Sequence, residues 1–184
     1  MTETLVLVTA RLSGRPIAAT DFGRIRRIHS DAGAAATLSA DGRPFSKAHT
    51  RQALHSWKKH WDEHGFGVWL FHKIDGEFVG YAGAMHASID GKPEVEVLYA
   101  LRSDFWGNHF ATEMARAVVQ FVFERLGVTE LVASTLPTNF GSRRVMESCG
   151  FEYEKETVHV GLPHVLYRLY EQRFRKTSDT ALQR

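Results

Sequence analysis

Three residues that disfavour helices precede one of the longest apolar helical patterns in this chain. Gly107, Asn108 and His109 follow a predicted strand and lead into a helical pattern over residues 110–126. The first four N–H groups of a helix have no partner within it, and the helix dipole adds partial positive charge there. A small-residue loop before such a helix can therefore hold a phosphate on its backbone amides. The alternative interpretation is an ordinary loop, with one glycine, before a helix.

Two histidines, His60 and His64, lie four residues apart on a predicted helix. This spacing can place two imidazoles on one zinc ion. The glutamate that follows the first histidine of a zinc-protease motif is replaced by Trp61, and no third ligand is evident from the sequence. We therefore interpret both as surface histidines and predict no metal site. Cys149 is interpreted as a packed thiol rather than a nucleophile.

Composition restricts the class of protein. The 184 residues, 43% hydrophobic and 24% charged, suit one globular domain with a sizeable core. The 23 basic and 21 acidic residues form no basic block, so nucleic acid is not an expected partner. No apolar run reaches the roughly 20 residues that span a bilayer, and no N-terminal stretch has a signal-peptide pattern. With a single cysteine, we expect a soluble cytoplasmic protein without a membrane partner.

Strand patterns dominate the middle of the chain. β-branched and aromatic residues predict strands at residues 4–8, 68–72, 76–85, 94–101, 130–135 and 164–170. Helical patterns cover residues 22–30, 47–64, 110–126 and 142–149, with Asp21 and Ser46 as predicted N-caps. The alternation of strands and helices towards the C-terminus predicts a mixed, partly parallel sheet. We predict an α/β (α+β) fold of about six or seven strands and four helices over residues 1–172, followed by a flexible tail at 173–184.

Three segments in the second half of the chain carry a family resemblance. They are "EVEVLYAL", "FWGNHFATEMA" and "NFGSRRVMESCGF". They resemble the GNAT acetyltransferase superfamily, and within it the ribosomal-protein N-terminal acetyltransferase branch, which has a similar Trp-Gly-x-Gly-Tyr-Ala-Thr-Glu turn and Asn-x-x-Ser-x-Arg-Val helix. "TARLSGRP" and "GEFVGYAG" extend the similarity to about residues 9–170. The resemblance implies a GNAT fold and transfer of an acetyl group from acetyl-coenzyme A to an amine.

The resemblance assigns the coenzyme A phosphates to the loop and helix start described above. We expect this part of the site to comprise Trp106, Gly107, Asn108, His109, Phe110, Ala111 and Thr112. His109 stands where the family carries a glycine, the residue favoured where backbone approaches a ligand or takes φ > 0. We predict that His109 adopts φ < 0, with its imidazole turned outward or laid along the pyrophosphate. The backbone amides then stay in place.

The pantetheine arm is implied to lie along the end of a strand, at Tyr99, Ala100 and Leu101. A backbone N–H near Leu101 is implied to polarise the thioester carbonyl. Asn139 resembles the residue that hydrogen-bonds the pantetheine amides. Where many relatives carry a tyrosine that protonates the leaving thiolate, this chain has Met146, so Ser142 is the expected substitute, orienting a water or bonding the sulfur. Helix capping is the alternative role for Asn139 and Ser142.

Acetyl transfer to an amine needs a proton acceptor. An α-amino group (pKa about 8) or a lysine (about 10.4) is mostly protonated near neutral pH. Glu94 and Glu96 lie two apart on one strand, so they project from the same face. Alignment of "EVLY" with the family's Glu-Ile-Gly-Tyr favours Glu96 as the base, acting through water in a ternary complex. The alternative is an exposed strand face with two solvated glutamates.

The acceptor pocket is implied to border the central hairpin. Its predicted substrate contacts are Phe66, Trp69 and Glu94, with core packing as the alternative role for the two aromatic residues. The sequence leaves open whether the acceptor is a protein N-terminus or a small-molecule amine, and whether the protein is a monomer or a homodimer. A coenzyme A-binding regulatory module without turnover is the alternative function.

Overall fold

The computed structural model describes residues 5–159 and 161–182, with the backbone alone at 177–182. Within these residues there are eight strands: β1 (Leu7–Val8), β2 (Leu12–Pro16), β3 (Val68–Lys73), β4 (Phe78–Ile89), β5 (Lys92–Leu101), β6 (Glu130–Thr135), β7 (Glu152–His159) and β8 (Leu162–Tyr170). The α-helices are α1 (Phe22–His29), α2 (Ala32–Leu38), α3 (Lys47–His64), α4 (Phe110–Arg125), α5 (Phe140–Ser148) and α6 (Glu171–Leu182). All eight strands form one sheet in the order β1-β2-β3-β4-β5-β6-β8-β7.

The predicted mixed α/β class is confirmed, with more elements than the sequence patterns predicted. Strand β7 and helix α2 were not predicted, because β7 has a mostly exposed, polar pattern and α2 spans only seven residues. Of the predicted tail at 173–184, residues 173–182 lie in α6, and residues 183–184 lie outside the described residues. The ring of Phe174 on α6 lies 5.6 Å from that of Phe123 on α4, so the helix is anchored by an aromatic contact.

Local signals account for most helix boundaries. The Ser46 side chain accepts a hydrogen bond from the His49 N–H at 3.0 Å and caps α3, which ends at Gly65 with φ 73°. Asp21 is the exception. It provides no side-chain cap to α1, because its buried carboxylate binds the guanidinium of Arg15 at 2.6 and 2.8 Å and the N–H of Ala18 at 2.8 Å.

The core lies on both faces of the sheet. On one face, α4 packs its fully buried Met114, Val118 and Val122, spaced by four residues, against the strands. On the other face, α1 and α3 contribute residues such as Ile25 and Leu54. None of the helices that the structure describes combines the length and the apolar character that crossing a membrane requires.

Parallel strands β5 and β6 pair at one position only, Glu96 with Val132. By contrast, β5 pairs with β4 along its whole length, from Lys92 to Leu101. Beyond Glu96 the two parallel strands separate towards their carboxyl ends, and the sheet opens into a wedge. This opening positions the candidate site.

Candidate active site

The wedge between β5 and β6 is a cavity of about 850 Å³. Its walls are residues 96–101 of β5 and 133–135 of β6. The loop and first turn of α4 form one side of its mouth, the start of α5 forms the opposite side, and α2 lies across the opening with Ala34, Thr37 and Leu38. A cavity of this size lies in the range of small-molecule and cofactor sites, about 300–1,000 Å³.

The loop before α4 has left-handed backbone at two positions, Gly107 (φ 78°) and His109 (φ 61°). The prediction of φ < 0 for His109 is therefore wrong, and histidine occupies the conformation that usually selects glycine. The first main-chain N–H of α4 with an acceptor is that of Glu113, which donates to the His109 carbonyl at 3.1 Å. Within the described part of the chain, no hydrogen bond uses the N–H groups of residues 107–112. They are available to an anion.

Glu113 fixes this loop from the first turn of α4. Its carboxylate accepts hydrogen bonds from the Thr9 hydroxyl at 2.6 Å, the Arg11 N–H at 3.0 Å and the Arg11 Nε at 2.7 Å. Burial would raise the pKa of Glu113, but the Thr9 and Arg11 donors outweigh it and lower that pKa. Arg11 also donates to the Asn108 carbonyl at 3.0 Å. The turn between β1 and β2 therefore holds the loop before α4 in shape.

Asn108 is the one predicted member of this loop that does not line the cavity. Its carboxamide donates to the carbonyls of Phe105 at 3.1 Å and Trp106 at 3.2 Å, so its side chain supports the loop from within. The other predicted members are Trp106, Gly107, His109, Phe110, Ala111 and Thr112, and all of these line the cavity.

Asn139 and Ser142, at the start of α5, lie on the side of the cavity opposite the α4 loop. The Asn139 Oδ1 accepts from the Ser142 N–H at 3.0 Å, so Asn139 caps α5. Its Nδ2 donates to the Thr37 carbonyl of α2 at 3.0 Å. Capping, the alternative considered from the sequence, is therefore confirmed for Asn139. Because both residues also line the cavity, a ligand contact remains compatible with this role.

A tyrosine hydroxyl lies beside Ser142, although it comes from a strand rather than from α5. The Tyr99 hydroxyl is 2.9 Å from both the Ser142 carbonyl oxygen and the Ser142 Oγ. Burial raises the pKa of Tyr99, so the phenol keeps its proton at neutral pH. The structure thus supplies a phenol next to the predicted serine, a pairing that chain position alone did not reveal.

At the end of β5, backbone N–H groups point into the wedge. The Arg102 N–H donates to the Val79 carbonyl on the β4 side at 3.1 Å. N–H groups alternate in direction along an antiparallel strand, so those of Leu101 and Tyr99 point away from β4, towards the diverging β6. Tyr99, Ala100 and Leu101 all line the cavity, as predicted.

Glu96 lies where β5 and β6 still touch, at the closed end of the wedge. Its Oε1 accepts a hydrogen bond from the Ser134 hydroxyl at 2.5 Å. Its Oε2 lies 3.4 Å from Nε2 of His159 on β7. The Glu96 side chain is 15% exposed, so the alternative of a solvated glutamate is excluded for this position.

Three predicted substrate contacts lie outside the cavity lining. Phe66 and Trp69 are buried in the core, at 4% and 0% exposure. The Trp69 indole N–H donates to the Leu5 carbonyl at 2.9 Å. The Glu94 carboxylate pairs with the Arg168 guanidinium at 2.8 and 3.1 Å. Core packing and a structural ion pair, rather than substrate binding, account for these residues.

Histidines from α3 and β4 form a separate cluster. Ligand nitrogens of His60, His64 and His86 lie within 4.8 Å of one another, and His86 is the third member that the sequence did not reveal. His60 is buried rather than on the surface, because its Nδ1 bonds the Phe66 carbonyl at 2.8 Å and its Nε2 accepts from the His86 N–H at 3.0 Å. Both ring nitrogens are therefore already engaged.

Helix α2 contributes the cavity wall that sequence patterns missed. Asp31 caps it by accepting from the Ala34 N–H at 3.1 Å, and also binds the Ser103 N–H and hydroxyl at 3.0 and 2.7 Å. A capping residue followed by the alanine-rich segment 32–36 was the available signal. Tyr81, Ser134 and Arg144 are further lining residues without a local signal.

Comparison with known proteins decides the family. A model described as acetyltransferase (GNAT) domain matches residues 11–152, more than half of the chain. The chain belongs to the GNAT acetyltransferase family. One curated relative, FsC-acetyl coenzyme A-N(2)-transacetylase of Aspergillus fumigatus, is 33% identical over 124 residues. The match covers 63% of this chain and 52% of the relative, so the chain spans about half the length of that protein.

Solved acetyltransferase structures share the fold. The aminoglycoside acetyltransferase AAC(6')-Ib in complex with coenzyme A has a TM-score of 0.76 and 19% identity, over 91% of this chain and 99% of that one. The ribosomal L7/L12 α-N-protein acetyltransferase RimL in complex with coenzyme A has a TM-score of 0.71 and 15% identity, over 90% and 98%. The predicted GNAT fold is confirmed, and its likeness extends to enzymes with different acceptors.

Proposed function

We propose that this chain is an acetyl-coenzyme A-dependent N-acetyltransferase that acts by direct attack of a primary amine in a ternary complex. The observation that carries the proposal is the opening between β5 and β6. The cavity at this opening brings together the free N–H groups before α4, the polar residues Asn139 and Ser142 at the start of α5, and the carboxylate of Glu96. Membership of the GNAT family and the coenzyme A complexes of solved relatives support the same function.

The residues present fit coenzyme A. The N–H groups of residues 107–112 and the positive end of the α4 dipole suit a pyrophosphate. The backbone groups of Tyr99 and Leu101 that face β6 suit the end of a pantetheine arm, with the Leu101 N–H at the thioester carbonyl and the other groups at the pantetheine amide, and Glu96 lies deeper in the same cavity. Arg144 adds a positive charge to the lining. The site needs no rearrangement of a main-chain hydrogen bond to accept these groups.

Four groups of this chain divide the chemistry between them. Glu96 takes one proton from the ammonium form of the acceptor, directly or through a water, so that the free amine can attack the thioester carbonyl. The Leu101 N–H donates to the developing oxyanion, an effect typically worth about 10²–10³ in rate. The Ser142 hydroxyl hydrogen-bonds the departing sulfur, and the Tyr99 phenol, which donates to the Ser142 carbonyl at 2.9 Å, holds Ser142 in place. The sulfur ends as a thiol with the second amine proton. The net products are an amide, coenzyme A thiol and one released proton.

The acceptor is proposed to be either a protein N-terminus or a small-molecule amine. The Trp106-Gly107 turn and the Asn139 helix support the ribosomal-protein N-terminal branch. The solved relatives include a ribosomal-protein enzyme and an aminoglycoside enzyme, so both acceptor classes occur on this fold. We propose the cytoplasm as the location, since the single cysteine, Cys149, is a free buried thiol and forms no internal disulfide.

An acceptor screen that reports free coenzyme A thiol tests the proposal. N-terminal peptides, polyamines and aminoglycosides are each offered with acetyl-coenzyme A, and mass spectrometry confirms the acetylated amine. We expect turnover with at least one class, and loss of that turnover in Glu96→Gln. Tight coenzyme A binding without thiol release towards any amine would instead select a non-catalytic, coenzyme A-binding module.

A further inference from the structure

The carboxylate of Glu96 has a contact that leads out of the cavity. His159, at the end of strand β7, places its Nε2 3.4 Å from the Glu96 Oε2. The His159 side chain is 20% exposed, whereas that of Glu96 is 15% exposed and faces the cavity. His159 itself does not line the cavity. It therefore lies behind the carboxylate, between Glu96 and solvent.

The two oxygens of Glu96 have different partners. Oε1 accepts from the Ser134 hydroxyl at 2.5 Å, which holds the carboxylate from β6. Oε2 is the one that meets an imidazole. Ser134 has no titration near neutral pH, so of these two contacts only His159 can exchange a proton with Glu96 in that range.

Three charged or titratable groups surround the His159 imidazole. Glu96 approaches from β5, Asp90 acts from the turn between β4 and β5, and the His164 ring on β8 lies 5.6 Å away. The Asp90 carboxylate is already bound by Lys155 at 2.6 Å and by the Thr157 hydroxyl at 2.8 Å. The hydrogen bond to Glu96 outweighs burial and raises the pKa of His159 above its ordinary value.

We propose that His159 is the positioning residue of Glu96 and the exit for the proton that Glu96 removes from the acceptor. This inference rests on the proposed role of Glu96 as the base. Glu96 takes a proton from the ammonium group and becomes a carboxylic acid. Its proton then passes to Nε2 of neutral His159, leaving a carboxylate and an imidazolium, and His159 releases the proton to solvent. One proton enters and one leaves in each turnover, so no other reactant is needed.

The proposal predicts a specific pH dependence. His159 must be neutral to accept the proton, so turnover falls as the pH drops through its pKa, which Glu96 raises above 6.5. In His159→Gln the side-chain amide still donates to Glu96 but cannot accept a proton. The fall in turnover at low pH, the acidic limb of the pH–rate profile, should therefore disappear. A merely structural role would lower the rate without moving the limb.

Imidazole rescue supplies the decisive readout. With saturating acetyl-coenzyme A and an acceptor from the screen, His159→Ala should lose about 10²-fold in kcat. Added imidazole should restore kcat in proportion to its concentration, while wild type does not respond. His164→Gln is the matched control, because its ring touches His159 without contacting Glu96, and it should stay within about twofold of wild type.

A second measurement does not depend on turnover. An NMR titration should give a His159 pKa above 6.5 in the wild-type protein and a lower value in Glu96→Gln. An unchanged His159 pKa in that variant, or a kcat loss that imidazole does not restore with the acidic limb in place, overturns the proposal. Failure of every acceptor would count against the proposed function alone, since the NMR result still decides whether the two residues are coupled.

Discussion

Asn139 donates a hydrogen bond to the main-chain carbonyl of Thr37 at 3.0 Å, and so joins the start of α5 to the end of α2. At the other end of α2, Asp31 accepts hydrogen bonds from Ser103, which precedes the α4 loop on the opposite side of the cavity. Helix α2 therefore spans the wedge, with a polar anchor on each side. These contacts hold α2 over the open end of the sheet.

Two substitutions of Asn139 test its two hydrogen bonds separately. Asn139→Asp keeps the oxygen that caps Ser142 but loses the donor to Thr37, whereas Asn139→Ala loses both. We expect Asn139→Ala to lower the free energy of unfolding by about 2 kcal/mol, about 1 from the cap and about 1 from the hydrogen bond. Urea titration of the two variants measures the difference. An Asn139→Asp variant as stable as wild type would contradict a role for the Thr37 contact, and equal losses in both variants would contradict a role for the cap.

Glu96 and Glu94 share a face of β5 but have different surroundings, so they form a matched pair. Glu96→Gln should lower turnover by about 10²–10⁴ and leave acetyl-coenzyme A affinity nearly unchanged, because it removes the base and keeps the shape. Steady-state kinetics with calorimetry measures both quantities. Full activity in Glu96→Gln, at a pH where the amine is protonated, would assign deprotonation elsewhere.

Glu94→Gln should instead affect stability. Its carboxylate binds Arg168, whose side chain is 13% exposed and also contacts Glu154 and Glu130. Since those two carboxylates remain, we expect the free energy of unfolding to fall by about 1–3 kcal/mol, with turnover close to wild type. A crippled but stable Glu94→Gln enzyme would show that the base is misassigned by two positions on the strand.

His109 occupies a left-handed conformation that costs most residues about 1–2 kcal/mol relative to glycine. His109→Gly should therefore preserve the loop and change acetyl-coenzyme A affinity by less than about tenfold, or about 1.4 kcal/mol. Gly107→Val should weaken binding more, because a branched residue is strained at φ 78°. Isothermal titration calorimetry compares the two. A hundredfold gain in affinity for His109→Gly would mean that the histidine obstructs the site.

Because of His29, the free energy of unfolding should depend on pH in the acidic range. Its ring is buried, with Nδ1 3.0 Å from the Thr50 hydroxyl and Nε2 3.4 Å from the Tyr81 hydroxyl. Burial, with help from the nearby His49 and Arg26, lowers the pKa of His29 from 6.5 to about 4. The unfolded chain therefore binds this proton first as the pH falls from 6.5 towards 4, and the folded state loses stability over that window.

The loss attributable to His29 should be about 3 kcal/mol, and denaturant titrations between pH 7 and pH 4 should detect it. His29→Gln should be less stable at pH 7 but should lose less on acidification. His55→Gln is the control, because His55 is exposed on α3. A wild-type stability that stays constant over this range would contradict the prediction.

Several features of the fold follow from the sequence because their causes are local. The Ser46 cap, the Gly65 stop and the apolar spacing of α4 act within one or two helical turns. The small-residue loop before α4 predicts an anion site for the same reason, since the free N–H groups belong to the helix start itself. Strand β7 was not predicted because it lies at the edge of the sheet, where a strand can be mostly exposed and needs no continuous apolar pattern.

The composition of the site was decided by the tertiary structure. Residue spacing put Glu94 and Glu96 on one face. Only the strand order β5-β6-β8 brought Arg168 of β8 to Glu94, and only the separation of β5 from β6 gave Glu96 a cavity. The contacts of Glu96 with Ser134 and His159 join three strands. Such contacts depend on strand order and on where two parallel strands separate, and these are set by packing between residues far apart in the chain.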